Sequence, residues 1–210
     1  MAYVGDWGTF IHIPKCGGFG FRQFLTDQMG KGVEVGPYHG LPETIDRGFT
    51  MVRNPVDWLR SIWAYRNNND WLYKSNSRQY WSVIMGLTQY AEGMPWDVFV
   101  EWLDRDIVST IYGMYQHPSV KIYKMEDAHQ LLFDLEIDTE LPVTHVTPFK
   151  PKVTRAQRDR LERVCWRSMV DYGYAKLNDT SPIAEIADLR RLLVDDGERI
   201  TASTRAYRRG

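Results

Sequence analysis

Cysteine is scarce in this chain of 210 residues, which holds only Cys16 and Cys165. Two thiols cannot build the bridged framework of a small secreted fold, and their spacing matches no zinc motif. The sequence therefore predicts a reducing compartment, the cytoplasm, and no bound metal. Charge of one sign is lacking as well. Lys and Arg number 26 against 27 Asp and Glu, a formal net charge of -1, so no global field draws the chain to nucleic acid. Any anion site must be built locally. No apolar run reaches the roughly 18 residues of a membrane-spanning helix, and the opening residues lack the basic start and long apolar run of a signal peptide. Membrane insertion is not expected. Internal repeats and low-complexity stretches are also missing.

What is present is an ordinary globular composition with a heavy aromatic load. Hydrophobic residues make up 43% and charged residues 25%, with eight Trp and twelve Tyr. The length suits one domain with a real core. We read that domain over residues 1–196, followed by a polar, Arg-rich tail over 197–210. Short apolar runs at 9–13, 33–35, 49–52 and 120–123 read as strands. Helical spacing marks 18–29, a segment opening at Pro55, and 77–91, 95–103, 126–135, 154–171 and 183–194. Thr154 is a natural N-cap for the sixth of these. The Pro-rich stretch 141–151 reads as loop. Strands that alternate with helices predict an α/β fold, with a central, mostly parallel sheet flanked by helices. Ligands of such sheets bind beyond the carboxyl ends of the strands.

Two motifs sit at such ends. In the first, a strand delivers Pro14 and Lys15 into a turn, Cys16-Gly17-Gly18-Phe19-Gly20, that opens a helix. Gly17 and Gly18 allow close backbone approach, and the helix start directs N–H groups and a positive dipole end at the same spot. The pattern suits a phosphate, with Lys15 supplying most of the charge. The full triphosphate pattern GxxxxGK[ST] is absent, because Lys15 precedes the glycines. In the second motif, Arg53 leaves a strand end, Pro55 starts a helix and Ser61 follows nearly two turns in. Arg53 offers a planar fork to phosphate oxygens and Ser61 a hydroxyl. The plainer alternatives are an exposed turn lysine, and an Arg53 paired with Asp57 above a packing serine.

Together the motifs resemble the sulfotransferase family that uses 3'-phosphoadenosine 5'-phosphosulfate (PAPS). The family's loop IPK-T-G-G-T-S is similar to Ile13 through Gly20. Its R-N-P-x-D-x-x-x-S is similar to Arg53-Asn54-Pro55-Val56-Asp57 with Ser61 in register. Tyr123 to Asp127 (YKMED) and the closing Asp171-Tyr172-Gly173-Tyr174 also resemble family segments, so the likeness spans roughly residues 8–175. It is closer to the carbohydrate and bacterial or viral branches. The resemblance implies a P-loop-like fold, PAPS as co-substrate and its desulfated product PAP (adenosine 3',5'-bisphosphate). It implies that Lys15 contacts the bridging oxygen, that Gly17, Gly18 and the backbone through Gly20 cradle the 5'-phosphate, and that Arg53 and Ser61 hold the 3'-phosphate. The loop ending in Phe149-Lys150 resembles the one that closes over the nucleotide, with Lys150 reaching the 3'-phosphate. The family's hydroxyl residues are missing at Cys16, Phe19 and Gly20, and Met125 stands where some members carry tyrosine.

Sulfuryl transfer needs in-line geometry, charge stabilisation on the leaving oxygen and a base for the acceptor. The family often has a glycine-flanked histidine where this chain has His39, which makes His39 the first candidate base, with Glu43 in reserve. His12 reads as a structural histidine in the first strand, and His117 and His129 carry no role. The acceptor, a hydroxyl or amine on a carbohydrate or small molecule, would meet the Trp-rich stretches 71–81 and 96–102, though such aromatic runs also build cores. Two other readings compete. A nucleotide-dependent kinase requires a lysine after the glycines and a hydroxyl ligand for magnesium. A catalytically silent nucleotide-binding module fits the missing loop hydroxyls.

Overall fold

The apolar runs of the sequence become the strands of one sheet in a computed structural model that describes residues 2–35, 41–67, 93–141 and 149–175. The strands are β1 (Ala2–Gly5), β2 (Gly8–Ile11), β3 (Val33–Val35), β4 (Gly48–Val52) and β5 (Val120–Lys124). Their order across the sheet is β3-β1-β2-β4-β5. β2, β4 and β5 are parallel neighbours, whereas β1 is antiparallel to both β2 and β3. The fold is thus α/β, but the sheet is mixed, and the mostly parallel sheet expected from the sequence holds only for its β2-β4-β5 half. The difference arises at the N-terminus. The unforeseen β1 folds back through Asp6-Trp7, with Gly5 opposite Gly8, and a hairpin of this kind pairs antiparallel by necessity.

Helix α1 (Gly18–Met29) starts after Gly17, whose φ of 76° is left-handed, and buries Phe21, Phe24 and Leu25 at helical spacing before Gly30 ends it. These side chains meet Phe10 and Phe49 of the sheet, and Leu131 and Leu132 of α5 (Ala128–Asp134), in one aromatic-rich core. Phe49→Ala in this cluster would cost about 3–5 kcal/mol. Every residue of β4 is buried, as a strand covered on both faces requires. Helix α2 (Pro55–Asn67) buries Val56, Trp58, Leu59 and Ile62. Helix α3 (Trp96–Trp102) follows, and then α4 (Ile107–Gly113), which the sequence did not predict.

The single helix expected over 154–171 is divided. α6 (Arg155–Val164) opens with the expected Thr154 cap, completed by Gln157 into a capping box, and α7 (Trp166–Asp171) follows a break at Cys165. Asp106 supplies the reason. Its carboxylate accepts from the Ser168 amide and the Ser168 hydroxyl, both at 2.7 Å, and so caps α7 from a distant loop. The helix expected over 126–135 likewise begins as a 3-10 turn, Met125–Asp127, before α5. Chain contacts group Met1–Tyr174 into one unit and Ala175–Gly210 into another. The helices expected over 77–91 and 183–194, the stretch 71–81, and the tail over 197–210 lie outside the described residues. Among the described residues no helix is long and apolar enough to cross a membrane.

Candidate functional site

The parallel pairing of β2 with β4 decides where the two motifs lie. Ile11 pairs with Thr50, so both chains leave the sheet at the same end, β2 toward Lys15 and β4 toward Arg53. β2 stops at Ile11, two residues earlier than expected, and the chain turns through Pro14 and Lys15. Lys15 adopts a left-handed φ of 63°, a conformation that costs a residue with a Cβ of order 1–3 kcal/mol and persists only where its surroundings hold it. Three contacts hold this loop. The Cys16 amide donates to Ile13 O at 3.3 Å, the Trp58 indole donates to Pro14 O at 2.8 Å, and the Cys16 thiol lies 3.5 Å from the Tyr112 hydroxyl.

Tyr112 is the member that the sequence reading missed. Its hydroxyl donates to Arg53 O at 2.9 Å and accepts from the Arg53 amide at 3.2 Å. One buried phenol therefore touches both motifs. Its ring packs edge-on against Trp58 at 5.8 Å and Tyr172 at 5.1 Å. The end of β5 adds a second tie. Met125 Sδ would stand 3.3 Å from a Cβ on Gly17, and Glu126 accepts from the Asn54 amide at 2.9 Å and from the Tyr174 hydroxyl at 2.6 Å. The YKMED and DYGY segments thus brace the two loops from behind.

The electrostatics are mainly cationic, with Asp57 and Glu126 at the margin of the cluster. Burial, then the charges of Lys150 and Arg53, push the Lys15 ammonium down to about 8. Burial and the neighbouring Arg53 and Arg60 also lower Lys150, against a smaller opposing pull from Asp57. The parallel pairing of β2 with β4 and the hold of Arg60 on Pro151 bring Lys15, Arg53 and Lys150 to the same end of the sheet. Among the described residues no carboxylate lies within ion-pair distance of any of the three. Lys150 is carried there by Arg60, which is ion-paired with Asp57 and donates twice to Pro151 O, at 3.1 and 2.9 Å. Lys15 Nζ lies over the Tyr65 ring, 4.3 Å from its centroid. This contact retains some attraction for the cation where water is excluded.

The glycines do different work from that expected of them. A Cβ on Gly18 would strike the His12 ring at 2.1 Å, so Gly18 is required by the packing of His12. Gly17 supplies the left-handed turn. The amides that can face an anion are those opening α1, ahead of the first intrahelical bond, from Phe21 N–H to Gly17 O. Cys16 is buried, with its thiol pushed up to about 12 chiefly by burial, and its side chain faces Tyr112. Phe19 and Phe149 are exposed, at 51% and 87%, beside the two loops. Ser61 is buried at 2% exposure within α2.

Of the two candidate bases, only Glu43 lies among the described residues. His39 lies outside the described residues, as do Thr144 to Pro148 with His145. Glu43 is exposed in the segment that enters β4 at the end opposite Arg53, and no contact ties it to Lys15. His12 follows β2, stacked on Phe10 at 6.4 Å. His117 accepts from Ser119 N–H in a turn and His129 pairs with Asp127. A cavity of about 640 Å³ opens at the other end of the sheet, lined by Trp7, Arg47, Lys121, Asp134 and Glu136 among others. Its charges are of both signs and partly paired, so the clustered cations mark the stronger anion site. Among the described residues no group of His, Cys, Asp and Glu is arranged to hold a metal ion. No family model matches the chain, and comparison with curated proteins and with solved structures likewise finds no match.

Proposed function

We propose that the protein is a sulfotransferase of P-loop-like fold that moves a sulfuryl group from PAPS to a hydroxyl or amine acceptor, carbohydrate or small molecule. The observation that carries this reading is that Lys15 and Arg53 leave adjacent parallel strands at one end, where Arg60 also holds the Lys150 loop, and that none of the three cations has an ion-pair partner among the described residues. Clustered cations without a direct ion pair beside a helix N-terminus favour a ligand with several negative charges. The motif order that resembles the family supplies the identity of that ligand.

In this mechanism the amides that open α1 hold the 5'-phosphate, and Lys15 Nζ donates to the oxygen that leaves sulfur. Arg53 and Lys150 hold the 3'-phosphate. Ser61 joins them by its place in the motif, although its burial makes it the weaker contact. The acceptor oxygen or nitrogen attacks sulfur in line with the departing phosphate oxygen, one S–O bond breaks as the new bond to sulfur forms, and the acceptor proton passes to His39, or to Glu43 in its stead. Lys15 is suited to this task because its lowered pKa leaves it charged at neutral pH yet weakly solvated.

Titration calorimetry with PAP, followed by an acceptor screen with labelled PAPS, tests the proposal. Binding and label transfer are expected. Absence of PAP binding removes it. A silent nucleotide-binding module is the second reading, favoured because the Cys16 thiol is turned toward Tyr112 and Phe19 and Gly20 carry no hydroxyl. Binding without transfer to any acceptor would select it.

A further inference from the structure

We propose that Tyr112 is a positioning residue that couples the two halves of the anion site and sets the distance between the phosphates the site accepts. The inference rests on the nucleotide reading above and adds the residue that measures the ligand.

The first loop and the second are far apart in sequence and share no ladder beyond β2 and β4. Beyond the sheet, the Met125-Glu126 segment braces both from behind, and two side chains tie their backbones more directly. Trp58 grips Pro14 O from the same helix that begins beside Arg53. Tyr112 comes from α4 and contacts the peptide groups of Arg53 through both its donor and its acceptor capacity, while the Cys16 thiol lies against the same oxygen. Tyr112 is 1% exposed and wedged edge-on between Trp58 and Tyr172, so its position is not adjustable. It fixes Arg53 at the residue whose side chain faces the anion, and it fixes Cys16 at the residue after Lys15. The left-handed Lys15 lies between that anchor and the Trp58 anchor. Loss of the hydroxyl leaves a partly buried Arg53 amide without its acceptor and frees Cys16 to move independently of Arg53. Each half-site could still hold one phosphate. Their fixed separation would be lost, and with it the gain from binding two phosphates on one rigid ligand.

The test compares PAP with adenosine 5'-phosphate, by calorimetry, on wild type and Tyr112→Phe. The phenyl ring keeps the packing against Trp58 and Tyr172 and removes only the oxygen. For wild type we expect PAP to bind much more tightly than the monophosphate. In Tyr112→Phe the ratio of the two dissociation constants should shrink about tenfold, with monophosphate affinity nearly unchanged. A merely structural tyrosine would lower the melting temperature and weaken both ligands equally, leaving the ratio intact, and that result would overturn the inference alone. Failure of wild type to prefer PAP would instead overturn the nucleotide reading and the coupling together. Cys16→Ala guards against a Tyr112→Phe protein that does not fold. It removes the other end of the strut without touching Arg53, and the ratio should fall in the same direction by a smaller factor; an unchanged ratio counts against the strut.

Discussion

The two ends of the sheet differ in a way that separates a cavity from a binding site. At the entry end of β4 and β5, a space of about 640 Å³ is bordered by Arg47 and Lys121 and also by Asp6, Asp134 and Glu136. There Lys121 is ion-paired with Asp134, which also accepts from Tyr123 and Gln130. The hydrogen bonds from Lys121, Tyr123 and Gln130 hold that carboxyl down to about 2, so it remains an anion at any physiological pH. At the exit end of β2 and β4 the polar groups do the reverse. Lys15, Arg53 and Lys150 repel one another, and the loop bearing Lys15 is held in a left-handed conformation by Trp58 and Tyr112. Volume whose charges are of both signs and partly paired offers an anion little. Cations held together against their mutual repulsion offer an anion a large gain, because its binding relieves a cost already built into the fold.

The largest expected effect lies in the chemical step. Lys15→Ala should lower transfer from PAPS by at least about 10²–10³-fold, the usual loss on removing one stabilising donor from a transition state. Measured label transfer equal to wild type would place the site elsewhere. His39→Ala should lower the transfer rate by about 10²–10⁴-fold with PAP affinity nearly unchanged; an unaltered rate would remove His39 as the base.

Arg53→Ala should weaken PAP binding by about 1.5–3 kcal/mol, the worth of a charge-assisted hydrogen bond, as read by calorimetry. The matched control at the other sheet end is Lys121→Ala, which should leave that affinity unchanged. A loss at Lys121 comparable to that at Arg53 would reverse the comparison between the two ends.

Lys15 also makes the comparison sensitive to pH. Its pKa in the free protein is lowered to about 8 from 10.5, and a bound anion should raise it again. PAP affinity should therefore be level between about pH 7 and 8, above the second phosphate pKa near 6, and fall as pH rises beyond that, with proton uptake on binding. A flat profile to pH 10 would show that Lys15 does not touch the ligand.

The smallest effect concerns stability. Because the folded pKa of Lys15 lies below its ordinary value, its buried charge destabilises the fold most below about pH 8, and this penalty fades as pH rises toward 10.5. Lys15→Met should thus be more stable than wild type at pH 7, by about 1–2 kcal/mol after allowance for partial solvation, and the gain should vanish in alkali. Denaturant midpoints at the two pH values measure this. Equal midpoints at pH 7 would mean that the loop carries no stored electrostatic cost.

Much of the site was legible because its parts are local. A strand running into Pro14-Lys15, the turn glycines before α1, and Pro55 opening α2 each follow from backbone rules that act over a few residues. Thr154 announced its helix in the same way. Most of the misses turn on contacts that no local pattern carries. The single helix over 154–171 is interrupted by a carboxylate from Asp106, which no periodicity can reveal. Gly18 reads as a phosphate-approach glycine but is required by the His12 ring. The hairpin between β1 and β2 escaped notice because its strands are short and bounded by glycines that weaken a strand pattern. Tyr112 carried no signal in the chain at all, since a tyrosine on a short helix looks like any core aromatic.

The amino-acid sequence alone determined the chemical kit of this protein. It placed a lysine before a glycine turn and an arginine before a helix-starting proline, without bulk charge. Only the tertiary structure decided that the two meet, because strand neighbours are chosen by burial of faces far apart in the chain. The same long-range packing drew the Lys150 loop to that end through Arg60 and Pro151, turned Cys16 inward, and put one phenol hydroxyl against both loops.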